Sequence, residues 1–391
     1  MASISIPTSE FRPELDLSRA EDAIAYLADT PFASTHAEAL SGGTANFIFR
    51  LHLVNPLANA SGAQTVILKH AKSWVATNKE FALDVRRQDI EVAALKHVRA
   101  FLPADSLATV PAVYYHDTIA HVLIMEDAGP NSRNLKDLLR ESPLSKSASR
   151  ELGTALGRFL AALHVRGSAE SELPDAVRKN DDGRRITSWI TYGQLLDTLK
   201  HSTQNTGLIE PPLAGVEAPS EAEIEEISAL ADATIKKIYE AQKPFTMGDF
   251  WTGNVIVRST DNGVIERVFV VDWELAKPGT AFIDFAQFVA EMHTLKRFHP
   301  EATVSIDSTL RTYAEAYNKG VRIDEKFIKG AASHVGAHMI AVTPNILNWG
   351  SKKTTRKVFI EGIEYVLGGI RGDEEWLKAS AVGGLLHNTR M

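Results

Sequence analysis

Three oxygen-bearing side chains near residue 250 have the types and the spacing of a divalent-cation site. Asp249 and Asn254 lie on an irregular segment, and Asp272 follows an apolar run. Two short apolar runs flank the turn 261–263, whose Asp-Asn-Gly sequence predicts a β-hairpin. Because a hairpin brings its two ends together, we expect Asn254 and Asp272 to converge. Hard oxygen donors of this kind suit Mg²⁺ that also binds phosphate, and Asp249 is placed to accept a proton from an attacking hydroxyl.

The N-terminal half supplies groups that complement this site. Gly42, Gly43 and Thr44 lie in a turn between predicted strands, where small residues let backbone N–H groups approach phosphates. Lys69 ends a strand and offers a positive charge, and Glu91 on the next predicted helix is placed to pair with it. Phosphoryl transfer depends on positioning and charge neutralisation, which these groups provide. Two simpler readings remain open: an edge-strand lysine that discourages aggregation, and a solvated glutamate.

Alternating and helical patterns predict the elements that position these residues. Strands are expected at 47–53 and 65–69 as antiparallel neighbours, followed by a helix at 84–101 and by two more apolar segments, so that a five-stranded N-terminal lobe results. Residues 126–128, which include Glu126 and Ala128, form a hinge whose free backbone groups suit the edge of an adenine ring. After Gly129 the pattern is mainly helical.

The predicted fold class is therefore α+β, with two lobes. Residues 1–35 are an extension with a short helix, 36–128 a nucleotide-binding lobe with a small antiparallel sheet, and 129–391 a larger helical lobe with the catalytic loop and the substrate site. The polar stretches 168–185 and 201–220 are expected to be surface excursions.

The ordering of these motifs resembles the aminoglycoside phosphotransferase and choline kinase-like superfamily, which shares its fold with protein kinases. The family's His-Gly-Asp-x-x-x-x-Asn loop is similar to residues 247–254, where Met247 replaces the histidine. The resemblance implies a general base or substrate-orienting role for Asp249, Mg²⁺ ligation by Asn254 and Asp272, and anchoring of ATP phosphates by Lys69. Weaker similarity to methylthioribose kinases is visible at 110–127.

What the resemblance implies is an ATP- and Mg²⁺-dependent kinase that phosphorylates a hydroxyl of a small molecule such as a sugar, an amino alcohol or an aminoglycoside-like compound. A catalytically silent, kinase-like nucleotide-binding or scaffold protein is the alternative, and a protein kinase is less favoured because little room follows Asp272 for an activation segment.

The overall composition argues against several classes of binding partner and of functional site. The chain has 391 residues, a formal net charge of −7 and no basic stripe, which argues against nucleic acid as a partner. It has no cysteine, which excludes disulfides and thiolate chemistry. With no signal-peptide pattern and no apolar run of about 18 residues, we expect a cytoplasmic protein that does not bind membranes.

Several further residues have competing interpretations. Asp284 precedes an apolar helix face, so a helix N-cap is at least as favoured as a substrate contact. His334 and His338 have a spacing that can bind a metal, but no third ligand is apparent, so packed or surface histidines are expected. Trp251, Trp273 and Trp349 could form an aromatic wall for a cation or a sugar ring, with core packing favoured for Trp349.

Overall fold

The computed structural model of the chain describes residues 15–40, 45–60, 62–167, 173–345 and 350–388. The strands are β1 Ser34–Ala39, β2 Phe47–Leu57, β3 Ala63–His70, β4 Trp74–Val75, β5 Asn78–Ala82, β6 Ala108–Thr109, β7 Val113–Asp117, β8 Val122–Glu126, β9 Ser132–Asn134, β10 Phe245–Thr246, β11 Val255–Ser259, β12 Ile265–Val270 and β13 Lys277–Pro278.

The helices dominate the second part of the chain. They are α1 Ala20–Leu27, α2 Arg87–Phe101, α3 Leu135–Glu141, α4 Lys146–Arg166, α5 Asp175–Arg178, α6 Asp181–Ser188, α7 Leu195–Ser202, α8 Glu221–Glu240, α9 Ala281–Phe298, α10 Thr303–Gly320, α11 Glu325–Ala341, α12 Lys352–Arg371 and α13 Glu374–Ala379. No helix in the described ranges is both long and apolar enough to cross a membrane.

A five-stranded sheet with the order β1-β2-β3-β8-β7 forms the N-terminal part, and all its neighbouring strands are antiparallel. Alternation along β3 gives its two faces different partners. Val66 and Leu68 pack in a small core with α1, whereas Ile67 packs in the larger core with residues of α2. Because side chains alternate along a strand, Lys69 shares the face of Ile67 and is directed towards α2. The predicted strand pairing and the α+β class are confirmed.

The predicted hairpin near residue 260 is confirmed as β11 and β12, with Val255 opposite Val270. It belongs to a four-stranded sheet with the order β6-β12-β11-β9, which the sequence did not predict. The hairpin begins directly after the loop that contains Asp249 and Asn254, and it ends directly before Asp272. Helices α3 and α4 contact its strands, and α9 to α12 contribute to the same larger core.

The prediction that 168–185 is a surface excursion is wrong for its described part. Residues 173–185 contain α5 and the first part of α6, and the side chain of Asn180 is buried. Its amide nitrogen donates to the carbonyl oxygens of Glu274 and Ala276, both at 3.0 Å. The polar composition of this segment reflects buried polar contacts with the chain after Asp272 rather than exposure to water.

Candidate active site

The loop between β10 and β11 holds Asp249 in a half-buried position. Nδ2 of Asn254 donates to one carboxylate oxygen of Asp249 at 3.0 Å, and Nε2 of Gln287 donates to the other at 2.8 Å. Burial, followed by the negative charge of Asp272, raises the pKa of Asp249 to about 6, although both amide donors oppose this shift. A carboxylate with this pKa is still ionised at neutral pH and is a stronger base than an ordinary aspartate.

The same loop is held from below by Asp284, whose carboxylate accepts hydrogen bonds from the backbone N–H groups of Met247 at 2.7 Å and Gly248 at 2.9 Å. Nε2 of His164 lies 3.3 Å from the same carboxylate. The expectation of an N-cap role for Asp284 is wrong, because the residue lies in the first turn of α9 and its oxygens bind another segment. The loop is anchored through its main chain, so the apolar Met247 side chain can pack in the core.

Gly248 is required by its backbone conformation and by its neighbour Lys277. Its φ is +82°, a region that favours glycine, and a Cβ here would lie 2.4 Å from Nζ of Lys277. Nζ donates to Oγ1 of Thr187 at 2.7 Å and to the carbonyl oxygen of Leu275 at 3.2 Å. Burial lowers the pKa of Lys277 to about 8. A second lysine, which the sequence analysis missed, thus lies directly behind the loop.

Lys69 joins the two halves of the chain. Its Nζ lies 2.7 Å from a carboxylate oxygen of Glu91 and 2.7 Å from one of Asp272, so the predicted pairing with Glu91 is present. Burial works against the ammonium, but the charges of Asp272 and Glu91 outweigh it and raise the pKa of Lys69. The lysine therefore stays protonated over the physiological range and keeps Asp272 next to α2.

Asn254 and Asp272 converge as predicted. The backbone N–H of Val271 donates to the carbonyl oxygen of Asn254 at 2.9 Å, which places the two predicted ligands on adjacent ends of the hairpin. Asp272 has a left-handed backbone with φ +66°, and 31% of its side chain is exposed. Carboxylate oxygens of Glu91, Asp272 and Glu274 lie within 4.8 Å of one another, which makes this cluster a candidate cation site.

Glu274 takes part in this arrangement, but the sequence analysis assigned it no role in the site. Its carboxylate accepts a hydrogen bond from Nδ2 of Asn46 at 2.9 Å and lies 3.3 Å from Nε of Arg87. Arg87 in turn donates to Oδ1 of Asn46 at 3.0 Å. Burial and the charge of Asp272 raise the pKa of Glu274 to about 7. The signal available in the sequence was its position two residues after Asp272.

The described residues include the predicted hinge but not the predicted phosphate-binding turn. Gly42, Gly43 and Thr44 lie outside the described residues. The backbone N–H of Glu126 is not free, because it donates to the carbonyl oxygen of Ala112 at 2.8 Å. The carboxylate of Glu126 binds Arg99 at 3.1 Å. For Ala128, no backbone hydrogen bond to a described residue is present, so its role as a hinge residue stays a prediction.

The remaining candidates from the sequence are mostly structural. His334 lies 2.8 Å from the Tyr192 hydroxyl, and Nε2 of His338 lies 2.7 Å from Glu291, so both are buried, packed histidines, as expected. Trp273 is fully buried, so it cannot belong to an open aromatic wall. Trp251 is half-buried under the ammonium of Lys136, whereas Trp349 lies outside the described residues.

The profile of the Phosphotransferase enzyme family matches residues 54–320 of the chain. The chain belongs to this family. Membership confirms the predicted superfamily, the kinase-like fold and the enzyme class, a small-molecule kinase. The matched segment begins before Lys69 and ends after Gln287, so it contains the residues that contact Asp249 and Asp272.

Relatives similar over most of their length carry kinase or phosphotransferase names. The chain is 26% identical to a 4-hydroxytryptamine kinase of Psilocybe cyanescens, with 89% of this chain and 92% of the relative covered. It is 24% identical to the phosphotransferase FrzJ of Cladobotryum sp, covering 91% and 93%. Among solved structures, a microcompartment-associated aminopropanol kinase is 17% identical, with a TM-score of 0.49 and coverage of 94% and 99%.

Proposed function

We propose that the protein transfers the γ-phosphate of ATP to a hydroxyl group of a small molecule in a Mg²⁺-dependent reaction. One observation carries this proposal: Lys69 lies within 2.7 Å of both Glu91 and Asp272, and the hairpin joins Asp272 to the loop of Asp249 and Asn254. These groups come from both halves of the chain and meet around Asp272. In this assignment residues 36–128 form the nucleotide-binding lobe and 129–391 the lobe that holds the acceptor.

The oxygen donors of Asn254 and Asp272 fit a hard divalent cation. Because Nδ2 of Asn254 donates to Asp249, its Oδ1 is the atom left to face a cation, and it accepts no hydrogen bond from a described residue. Asp272 is partly exposed and uses one oxygen on Lys69. Asn254 and Asp272 would hold Mg²⁺, with Glu274 close by. When bound, the ion neutralises charge on the phosphate oxygens.

Asp249 serves as the acceptor of the proton in the transfer. The hydroxyl oxygen of the acceptor forms a bond to the γ-phosphorus, the bond from that phosphorus to the bridging oxygen breaks, and ADP leaves with the electron pair. The hydroxyl proton passes to the carboxylate of Asp249, which Gln287 and Asn254 hold in one orientation. Lys69 contributes its fixed positive charge to the nucleotide phosphates.

The acceptor is proposed to be a small hydroxylated compound. The two relatives named 4-hydroxytryptamine kinases are 26% identical to this chain over most of its length, which supports this class. This class includes sugars, amino alcohols and aminoglycoside-like compounds.

The proposal is tested by measuring the release of ADP when the purified protein is given ATP, Mg²⁺ and each member of a panel of small alcohols. The panel includes 4-hydroxytryptamine, choline, homoserine, methylthioribose, a fructosamine and an aminoglycoside. With the acceptor that it identifies, Asp249→Asn is expected to lower kcat by about 10²–10⁴-fold, because the proton acceptor is lost. Asp261→Asn, at the exposed turn of the hairpin, is the matched control. Nucleotide binding without turnover of any acceptor would instead identify a silent scaffold, and full activity of Asp249→Asn would refute the role of that residue.

A further inference from the structure

A cavity of 420 Å³ lies between helices α9, α10 and α12 and the chain around the end of α13. Its volume is in the range of small-ligand sites, about 300–1,000 Å³. Helix α9 passes from the catalytic loop to this cavity, because Gln287 binds Asp249 and Arg297, ten positions later, lines the cavity. A helix rises about 1.5 Å per residue, so the cavity lies roughly 15 Å from the catalytic loop along α9. It is therefore separate from the candidate active site.

Two buried side chains of the cavity wall have unused hydrogen-bonding capacity. Tyr365 is 6% exposed, and its hydroxyl oxygen accepts a hydrogen bond from the backbone N–H of Ala381 at 2.8 Å. The hydroxyl proton has no acceptor among the described residues, and burial raises the pKa of Tyr365 to about 12, so the group remains a donor. His293 has Nε2 at 2.8 Å from Oε1 of Glu361, whereas its Nδ1 is buried and has no partner in the described ranges.

Two arginines add further unused donors to the cavity wall. Nε and one terminal nitrogen of Arg297 bind the carboxylate of Glu361, at 2.8 and 2.5 Å, and the other terminal nitrogen has no partner in the described part of the chain. Although burial opposes the shift, hydrogen bonds from His293 and Arg297 lower the pKa of Glu361 to about 2. This carboxylate is therefore ionised, and both its oxygens are already used. Arg311 is exposed and forms no hydrogen bond or ion pair with a described residue.

The remaining charged side chains of the wall are paired. Nζ of Lys296 lies 2.7 Å from a carboxylate oxygen of Asp307. Nζ of Lys378 lies 2.7 Å from Glu374 and 3.0 Å from Glu375, which do not line the cavity. Among the described residues, the wall thus retains an unpaired guanidinium, one free side of a second guanidinium and a phenol O–H. This set of donors fits an anion that has several oxygens.

We propose that the cavity binds the phosphoryl group of a phosphate monoester, with Arg311, Arg297 and Tyr365 as donors to its oxygens. Guanidinium groups match the geometry of phosphate oxygens, and hydrogen bonds between charged groups are about twice as strong as neutral ones. The organic part of the ester would contact the apolar side chains of Leu310 and Ala379, which also line the cavity. The site does not depend on the proposed function, because none of its donors belongs to the catalytic loop.

The proposal is tested by calorimetric titration of phenyl phosphate, inorganic phosphate and phenol into the full-length protein in the presence of Mg²⁺ and ADP. We expect phenyl phosphate to bind more tightly than inorganic phosphate, and phenol not to bind. Arg311→Gln should weaken the binding of phenyl phosphate at least ~10-fold, because it removes a charged hydrogen-bonding partner. Arg311→Lys should weaken it less, because it keeps the charge but loses the fork of donors.

Arg322→Gln is the matched control, because Arg322 is also an exposed arginine without a partner among the described residues, but it lies outside the cavity. It should keep the affinity of the wild type. Both arginines are exposed, so the variants are expected to fold, and their melting temperatures check this. Phenyl phosphate should raise the melting temperature of the wild type and of Arg322→Gln more than that of Arg311→Gln.

Three results would overturn the proposal. The first is the absence of phenyl phosphate binding to the wild type at millimolar concentrations. The second is an equal affinity of the wild type and Arg311→Gln, since the ester would then bind elsewhere. The third is inorganic phosphate binding as tightly as phenyl phosphate, which would identify a site for free phosphate instead. Binding that depends on Arg311 in a protein that releases no ADP would support this site and refute phosphoryl transfer.

Discussion

Replacement of Lys277 by methionine should change how the stability of the protein depends on pH. The ammonium is almost completely buried behind Gly248, and among the described residues it donates to the oxygens of Thr187 and Leu275 and to no carboxylate. Burial lowers its pKa from 10.5 to about 8. Methionine has a similar length and carries no charge, so it removes the titration while it keeps most of the packing.

The size of the effect follows from proton linkage. Below pH 8 the lysine is protonated in both the folded and the unfolded chain, so folding carries the full cost of burying the charge. Between pH 8 and 10.5 the unfolded chain binds more protons, so the free energy of unfolding of the wild type rises with pH. A shift from 10.5 to about 8, at about 1.4 kcal/mol per unit, amounts to ~3 kcal/mol.

The effect is measured by urea unfolding of the wild type and of Lys277→Met at intervals from pH 7.5 to 10.5. The quantity compared is the difference between their free energies of unfolding. The hydrogen bonds lost in the variant change its stability by an amount that does not depend on pH, so the change of the difference across the range isolates the lysine. We expect the wild type to gain ~3 kcal/mol relative to Lys277→Met over this range. Lys357→Met, at an exposed position of α12, should show no such gain. A difference that stays constant with pH would refute the reasoning.

Other substitutions test the packing and the candidate site. Gly336→Ala should lower the free energy of unfolding by about 1–3 kcal/mol, as measured by urea, because a Cβ there would lie 2.3 Å from the carbonyl oxygen of Gly362 on the neighbouring helix. Asp284→Ala leaves two buried N–H groups of the catalytic loop without an acceptor, and each should lower the free energy of unfolding by about 1–3 kcal/mol. We therefore expect a lower kcat and a lower melting temperature. Unchanged kcat would contradict the anchoring role. Asp272→Ala should abolish the Mg²⁺ dependence of ATP binding in a calorimetric titration, and an unchanged Mg²⁺ response would argue against ligation by this residue.

Local patterns in the sequence determined a large part of the site. The turn sequence of residues 261–263 predicts a hairpin, and a hairpin necessarily brings its ends together, so the convergence of Asn254 and Asp272 required no tertiary information. Alternation along β3 and helical spacing along α2 similarly place Lys69 and Glu91 on facing surfaces, where their 2.7 Å contact forms. In each case the relevant geometry repeats over a few residues and is visible in the order of residue types.

Only the tertiary structure decided which distant residues complete the site. Gln287 and Asp284 reach the catalytic loop from α9, and Asn180 reaches the chain after Asp272 from a segment that reads as exposed. Glu291 reads as an ordinary polar helix residue until the fold buries it beside His338. Residue type and periodicity report the local backbone and the average burial of a face, whereas a hydrogen bond between segments tens of residues apart depends on how whole elements pack. That packing arises from the sum of many weak apolar contacts, and no short motif records it.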